Sequence, residues 1–479
     1  MPDMEVIGRG HAKEVLDLKL RATKSELVAV LGRRRIGKTY LIREYLREQT
    51  VFRYTGLYKG DLAEHMERFA KIMTESMNLH SPLQPPVSWF EAFDMLRDYI
   101  DSIKSKKKKV IFLDEFPWMA TNRSRFLTAF TDFWNTYAAG RSDLVVIICG
   151  SSASWMINKV LKNKGGLHNR VTERIFLEPF TLGETKQFLK SKQIVLQDFD
   201  IVKLYMAMGG VPYYLDQLQK GESVVQTIDR ICFAKGAVLR LEYDELMASL
   251  FDNSAKHQSI IEALNAHPKG LLRDELLAKT GLNSGGGTSG ILEELETSGF
   301  ITSYVPYGKR LKDKIYKLKD QYLIFYHKFI RPTKTSSKGL WEKLFTSQSY
   351  QSWAGLAFEN ICIDHIDNIK KALKIDGIQT SHGAWHSRAN GDLPGAQIDL
   401  LIDRADNVFN VCEMKFSSTP YIITADYEQK LRNKIAVFNT AVKHRKAVFP
   451  TMVTTFGLLE NKYSKGLIQQ QVVVKDLFG

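Results

Sequence analysis

The chain is short of cysteine. Its four cysteines, Cys149, Cys232, Cys362 and Cys412, stand far apart in apolar surroundings. With no CxxC pair among them they support neither a disulfide framework nor a zinc knuckle. Long apolar runs are missing as well: stretches such as Leu144 to Cys149 fall far short of the roughly 20 residues that span a bilayer. The segment MPDMEVIGRG lacks the apolar core of a signal peptide, so a reduced, cytoplasmic protein is expected. No repeat of solenoid period is present. Acidic residues are in deficit, 53 Asp and Glu against 67 Lys and Arg, and the resulting charge of +14 favours a polyanionic partner such as nucleic acid or a membrane surface. A soluble protein with a basic surface fits the same number. With 44% apolar and 25% charged residues the usage is that of a globular protein, which excludes a disordered or fibrous chain. At 479 residues there is too much chain for one core, and about three domains are expected.

Residues 1–180 alternate short apolar runs with amphipathic stretches. LVAVL (Leu27 to Leu31), VIFLD (Val110 to Asp114) and LVVIICG (Leu144 to Gly150) read as buried strands. Strands separated by helical stretches imply an α/β fold with a parallel sheet. Residues 181–250 are helical in pattern and broken by GGVP (Gly209 to Pro212), and 251–333 read as short helices followed by a hairpin. After a polar linker at 334–339, residues 340–374 read as helix, and 396–456 return to mixed β and α within a last region, 340–479. The run Lys104 and Lys106 to Lys109 reads as a solvated loop rather than a phosphate contact.

GRRRIGKT, Gly32 to Thr39, fits G-x-x-x-x-G-K-[ST] and directly follows the Leu27 to Leu31 strand, with a helical YLIREYL after it. Strand, loop and helix are the setting a phosphate loop requires. The glycines let backbone N–H groups face a phosphate, and the helix N-terminus adds partial positive charge. ATP is therefore the expected ligand. Its contacts would be Gly32, Arg33, Arg34, Arg35, Ile36, Gly37, Lys38, Thr39 and Tyr40, with Lys38 on the β- and γ-phosphates and Thr39 on Mg²⁺.

About 75 residues later VIFLDEFPWM ends an apolar strand in two acids. Asp114 would hold Mg²⁺ through water, and Glu115 would polarise the attacking water as general base. The third strand ends at Gly150-Ser151-Ser152, the place for a polar γ-phosphate sensor or simply a helix cap. Arg170 is either a γ-phosphate contact or a solvated arginine.

VIGRGHAKEVLDL, GRRRIGKT, VIFLDEFPWM, VIICGSSASWM, RIFLEPFTLGE and GGVPYYL together resemble the archaeal-type P-loop ATPases, which are similar to AAA+ proteins and to signal-transduction ATPases with numerous domains. The resemblance covers roughly residues 5 to 330. It implies a P-loop core (1–180) with a helical lid (181–250). It also implies adenine contacts at Ile7, Gly8 and Arg9 and at the lid turn, Gly210 and Pro212, and a nuclease-like domain beyond. No arginine-finger motif stands out, so an oligomer is left open.

Leu271 to Ile301 reads as a winged helix (251–333): a helix, a Gly-Leu-Asn turn and a second helix with an Ile291, Leu292, Leu295 stripe. A hairpin turning at Tyr307-Gly308-Lys309 would follow, carrying basic Lys309, Arg310, Lys312 and Lys314. Either that wing lies on nucleic-acid phosphates or the module only contacts protein. Its second helix carries three glutamates and no Lys or Arg, which argues against base readout.

GAQIDLLID (Gly395 to Asp403) and VFNVCEMKFS (Val408 to Ser417) read as two strands of a hairpin. Glu413 and Lys415, two apart, share a face, and Asp399 would stand opposite. Two carboxylates and a lysine on one face can hold Mg²⁺ and activate water. This resembles the PD-(D/E)xK nuclease core, although Gln397 and Ile398 replace the leading proline. The resemblance implies Glu359 as the helix-borne acid and Tyr427 and Lys430 on a following helix near the site. The expectation is a soluble, Mg²⁺-dependent ATPase whose nucleotide state regulates a nuclease-like domain acting on nucleic acid, DNA favoured over RNA. The alternatives are a nucleotide switch with an inactive binding module and an ATP-driven remodeller of protein partners.

Overall fold

Three six-residue strands with apolar runs of four to six residues build the centre of the first sheet. Its strands are β1 (Glu26–Leu31), β2 (Thr50–Thr55), β3 (Lys109–Asp114), β4 (Leu144–Cys149) and β5 (Glu173–Phe176), all parallel in the order β2-β3-β4-β1-β5. Every residue of β1, β3 and β4 is buried, because helices cover both faces. Alternate residues feed two separate cores: Leu27, Ala29 and Leu31 face one, Val28 and Val30 the other. The order places β4 between β1 and β3, so the loops after all three open at the same end of the sheet.

The computed structural model describes residues 6–479 apart from 106, 122, 152, 162–166, 168, 252, 335–338 and 388–394. Ser152, Lys106 and most of the 334–339 linker lie outside the described residues. The chain divides into two units, Met1–Pro179 with Thr297–Gly299, and Phe180–Glu296 with Phe300–Gly479.

The second unit begins with the helical segment from Leu182 to Leu250. Helices Ala255–Asn265, Arg273–Thr280 and Gly286–Thr297 follow, with a small antiparallel sheet β6-β8-β7 formed by β6 (Leu271–Leu272), β7 (Ile301–Tyr304) and β8 (Ile315–Leu318). β7 and β8 pair antiparallel as a hairpin whose connection, residues 305–314, includes Tyr307-Gly308-Lys309 and a 3-10 turn at Leu311–Asp313. The helix expected over 340–374 is three helices, Leu340–Phe345, Gln348–Asp364 and Ile366–Ala372. The first break is a cap, with the Ser347 hydroxyl accepting from the Tyr350 N–H at 3.2 Å.

The last sheet is mixed. Of β9 (Thr380–Ser387), β10 (Ala396–Arg404) and β11 (Val408–Lys415), the middle strand β10 pairs antiparallel with both others. A two-residue strand β12 (Tyr421–Ile422) follows, then β13 (Ala447–Thr454), which lies parallel to β11. β14 (Leu458–Leu459) pairs with β12, and β15 (Gln470–Val473) closes the edge, giving β15-β13-β11-β10-β9. The Gln348–Asp364 helix precedes this sheet in the chain, and the Ala425–Val442 helix connects β12 to β13. One large apolar core takes residues from Phe180 to Leu477 and so from all three regions expected after residue 180, and a smaller separate core gathers Trp385, Ile398, Leu401, Phe409 and Phe438.

Candidate active sites

At the first site, Gly37 in the left-handed region caps the Lys38–Tyr45 helix. Gly32 is held to glycine by close approach: at φ 138° an added Cβ would lie 2.4 Å from the Leu177 carbonyl oxygen and 2.5 Å from Ile36 Cδ1. Lys38 is buried, and its ammonium donates to the Gly32 and Arg33 carbonyls, both at 2.8 Å, so it sits over the loop that a phosphate would enter. The Thr39 hydroxyl donates to Asp114 Oδ2 at 2.9 Å, joining the ends of β1 and β3 across β4.

Glu115 adopts φ 46°, a conformation rare for a side-chain-bearing residue. Its Oε2 accepts from the Ser151 N–H at 3.0 Å and the Ser151 hydroxyl at 2.9 Å. Burial raises its pKa, while the Ser151 N–H and Lys38 oppose the shift. Ser151 therefore acts on the glutamate at the end of β4. Arg9, also at positive φ, donates to the Ile36 carbonyl at 2.7 Å and to the Glu178 carbonyl, which ties the segment of Ile7 and Gly8 to the loop backbone. Arg170 is exposed. Gly210 and Pro212 lie in the second unit, where Gly210 packs backbone to backbone on Phe180.

At the second site, the antiparallel register that pairs Leu400 with Cys412 sets Asp399 beside Glu413. A register shift between Ile398 and Leu401 against β9 places an irregularity at Asp399, a common device for re-aiming a side chain. Cys412 and Met414 face the core, while Glu413 and Lys415 share the other face, linked at 2.9 Å. Glu413 also accepts from the Tyr427 hydroxyl at 2.7 Å and from Lys434 at 2.6 Å. Burial alone would raise the Glu413 pKa, but Lys415 and Lys434 outweigh it and hold the carboxyl down at about 2. Burial and then the Glu413 charge raise Asp399. Burial and then the Asp399 charge push Glu359 up to about 7, so this helix-borne acid faces the same cluster.

Lys430 pairs instead with Asp426 at 2.7 Å. The lysine that reaches Glu413 is Lys434, seven positions after Tyr427 and therefore on its helix face; that spacing was a readable signal. Three further lysines at this site come from outside the region: Lys269, before β6, Lys317, on β8, and Lys319, just after it. Nothing in a local motif flags them. Among the described residues no group of three or more His, Cys, Asp or Glu side chains is arranged to hold a metal ion, and no helix is long and apolar enough to cross a membrane.

Residues 11–218 match a family described as an ATPase domain predominantly from Archaea. This part of the chain is thus similar to archaeal-type ATPase domains, which supports a P-loop ATPase. The match implies nucleotide binding, and it runs past the first unit to include the Gly209–Pro212 turn. An uncharacterized protein of Methanocaldococcus jannaschii is 25% identical over 405 residues, covering 82% of this chain and 83% of that one. Among solved structures, a Walker-type ATPase of Pyrococcus abyssi is similar at 16% identity over 67% of this chain and 95% of that one, with a TM-score of 0.49. The ORC2 protein of Aeropyrum pernix, solved as ADPNP and ADP complexes, is similar at 12% identity over 67% and 93%, with a TM-score of 0.40.

Proposed function

We propose that the ATPase domain binds and hydrolyses ATP with Mg²⁺, and that its nucleotide state regulates a Mg²⁺-dependent, nuclease-like site on β10 and β11. The Thr39–Asp114 pair offers two hard oxygens of the kind Mg²⁺ prefers, and Glu115 stands next in the chain as general base. Bound Mg²⁺ would supply neutralising charge to the phosphates, which Lys38 and the loop N–H groups would hold.

The observation that carries the second half is the meeting of Asp399, Glu413 and Lys415, with the Asp399 charge acting on Glu359. A helix, three antiparallel strands, a helix and a parallel strand are the order of a restriction-endonuclease-like fold, and this chain follows that order. Mg²⁺ needs only one or two carboxylates and keeps several waters, so Asp399 and Glu413 suffice in donor chemistry. The three helices and β6-β8-β7 fit a winged helix. In it, Glu294 pairs with His257 at 2.7 Å and Glu296 with Lys314 at 3.6 Å, so the acidic helix serves its own module rather than bases.

A second reading, a nucleotide switch with an inactive binding module, is favoured by Glu413, both of whose carboxylate oxygens already take donors from Lys415, Tyr427 and Lys434. Incubation of purified protein with ATP, Mg²⁺ and a panel of DNA and RNA separates the two. On the nuclease reading Asp399→Ala and Lys415→Ala each remove cleavage and leave ATP hydrolysis intact, whereas Lys38→Ala removes ATP binding. If no product forms, or the two variants cut like wild type, the switch reading replaces it.

A further inference from the structure

Lys317 belongs to β8, yet it lines the same cavity of about 410 Å³ as Glu359 and Asp399. A second cavity, also of about 410 Å³, has Asp399, Lys430 and Lys434 in its walls. The two share Lys269, Gln397 and Asp399, so they make one cleft with Asp399 at its waist. A hydrogen-bond relay crosses that waist. Lys269 Nζ donates to Gln397 Oε1 at 2.7 Å, and Gln397 Nε2 donates to Asp399 Oδ1 at 2.8 Å. The small three-stranded module thus reaches the acid of the C-terminal sheet by two separate side chains.

The neighbouring lysines are engaged within the protein: Lys415 and Lys434 on Glu413, Lys430 on Asp426, and Lys319 on Asp364. Lys317 is not in any of these pairs. It stands half-buried in the cleft, where desolvation disfavours its charge and the Glu359 and Asp399 charges only oppose that loss. A bare anion would be repelled by the acids of the cleft, and a bare cation by the lysines. A phosphodiester accompanied by a hard divalent cation satisfies both, with the cation toward the carboxylates and the phosphate oxygens toward the ammonium groups.

We propose that Lys317 and Lys269 bind the phosphate backbone of a nucleic acid in this cleft, so that the three-stranded module completes the substrate site of the C-terminal sheet. This inference rests on the nuclease-like reading above, but its test does not depend on cleavage. The full-length protein, with Ca²⁺ as the hard divalent cation in place of Mg²⁺, is titrated against fluorescein-labelled DNA and RNA oligonucleotides over a range of salt, followed by anisotropy. Lys317→Ala is expected to weaken binding about 5- to 10-fold at low salt and to reduce the log–log salt slope by about one, the signature of one lost phosphate contact, and Lys317→Arg to restore both. The DNA and RNA arms show which sugar the cleft accepts. Melting curves accompany each variant, and Lys317→Gln replaces the alanine form if that unfolds.

Unchanged affinity and slope in Lys317→Ala overturn the proposal. So does a gain in Mg²⁺-dependent cleavage, which would make Lys317 an internal counter-ion that blocks the acids. If wild type binds through Lys317 but never cuts, the nuclease reading falls and the binding site stands. If Asp399→Asn stops cleavage while Lys317→Ala binds like wild type, the reverse holds.

Discussion

At the residue scale, Glu115 is fixed by its surroundings more than by its own strand. The β3 strand ends at Asp114, the backbone turns into the left-handed region, and Ser151 fastens the carboxylate from the end of β4. Replacing it by Gln keeps size and hydrogen bonding but removes the carboxylate proposed as the base. Glu115→Gln is expected to hold ATP within about 2-fold of wild type by calorimetry while phosphate release falls at least about 100-fold; an equal fall in both would make the residue structural. His327 offers a pH prediction. Burial and then the Arg331 charge lower its pKa to about 4, and the Arg331 guanidinium stands 3.2 Å from Nδ1, a contact that only a neutral ring accepts. The folded state therefore binds fewer protons than the unfolded chain between about pH 4 and pH 6.5. The stability from this group is complete above pH 6.5 and is lost as pH falls toward 4, by up to about 3 kcal/mol. Melting temperatures across that window should decline in wild type and decline less steeply in His327→Gln.

At the scale of elements, the approach of two backbones at Gly210 decides how the helical segment after residue 180 closes on itself. The Phe180 N–H donates to the Gly210 carbonyl at 2.7 Å, and an added Cβ at Gly210 would lie 1.9 Å from the Phe180 oxygen. No rotamer relieves a backbone clash, so Gly210→Ala should cost about 2–4 kcal/mol in denaturant unfolding. Gly355, inside the Gln348–Asp364 helix with open space around its Cα, is the control: Gly355→Ala should be neutral or stabilising by about 0.5–1 kcal/mol. The same scale explains what the sequence made readable. The interior strands β1, β3 and β4 are continuous apolar runs because both faces are covered, and they were legible. The edge strands β2 and β5 were not, since TVFRYT carries an exposed Arg53 between buried Phe52 and Tyr54, and ERIF leaves Arg174 and Phe176 exposed on either side of buried Ile175. The shared face of Glu413 and Lys415 followed from strand geometry once β11 was read as a strand, whereas the irregularity of β10 between Ile398 and Leu401 had no such signal. Lys269 and Lys317 escaped because their partners are far away in sequence, set by tertiary packing that no spacing encodes.

At the scale of the whole molecule, the second unit has, besides a smaller core around Trp385, Phe409 and Phe438, one large interior that draws on all three regions that composition suggested. Its centre is aromatic. Trp341, fully buried, stacks on Phe233 with ring centroids 5.7 Å apart and meets Phe325 at 5.0 Å, Phe329 at 5.3 Å and Tyr350 at 5.7 Å. These partners come from the helical segment after residue 180, from the helical stretch that follows β8, and from the Gln348–Asp364 helix. Asp229 reinforces the junction by accepting from the Gly339 and Trp341 N–H groups at 2.8 and 2.9 Å. An interior shared in this way transmits a cavity to all its parts. Trp341→Ala should therefore cost about 3–5 kcal/mol, and the loss should register together in the β9-β10-β11 strands and in the helices between residues 182 and 250 when amide exchange is followed by mass spectrometry. Trp341→Phe keeps most of the stacking and should shift both regions far less. Loss of protection confined to the Leu340–Phe345 helix, with the strands and the earlier helices unmoved, would mean that the unit is three weakly coupled cores rather than one.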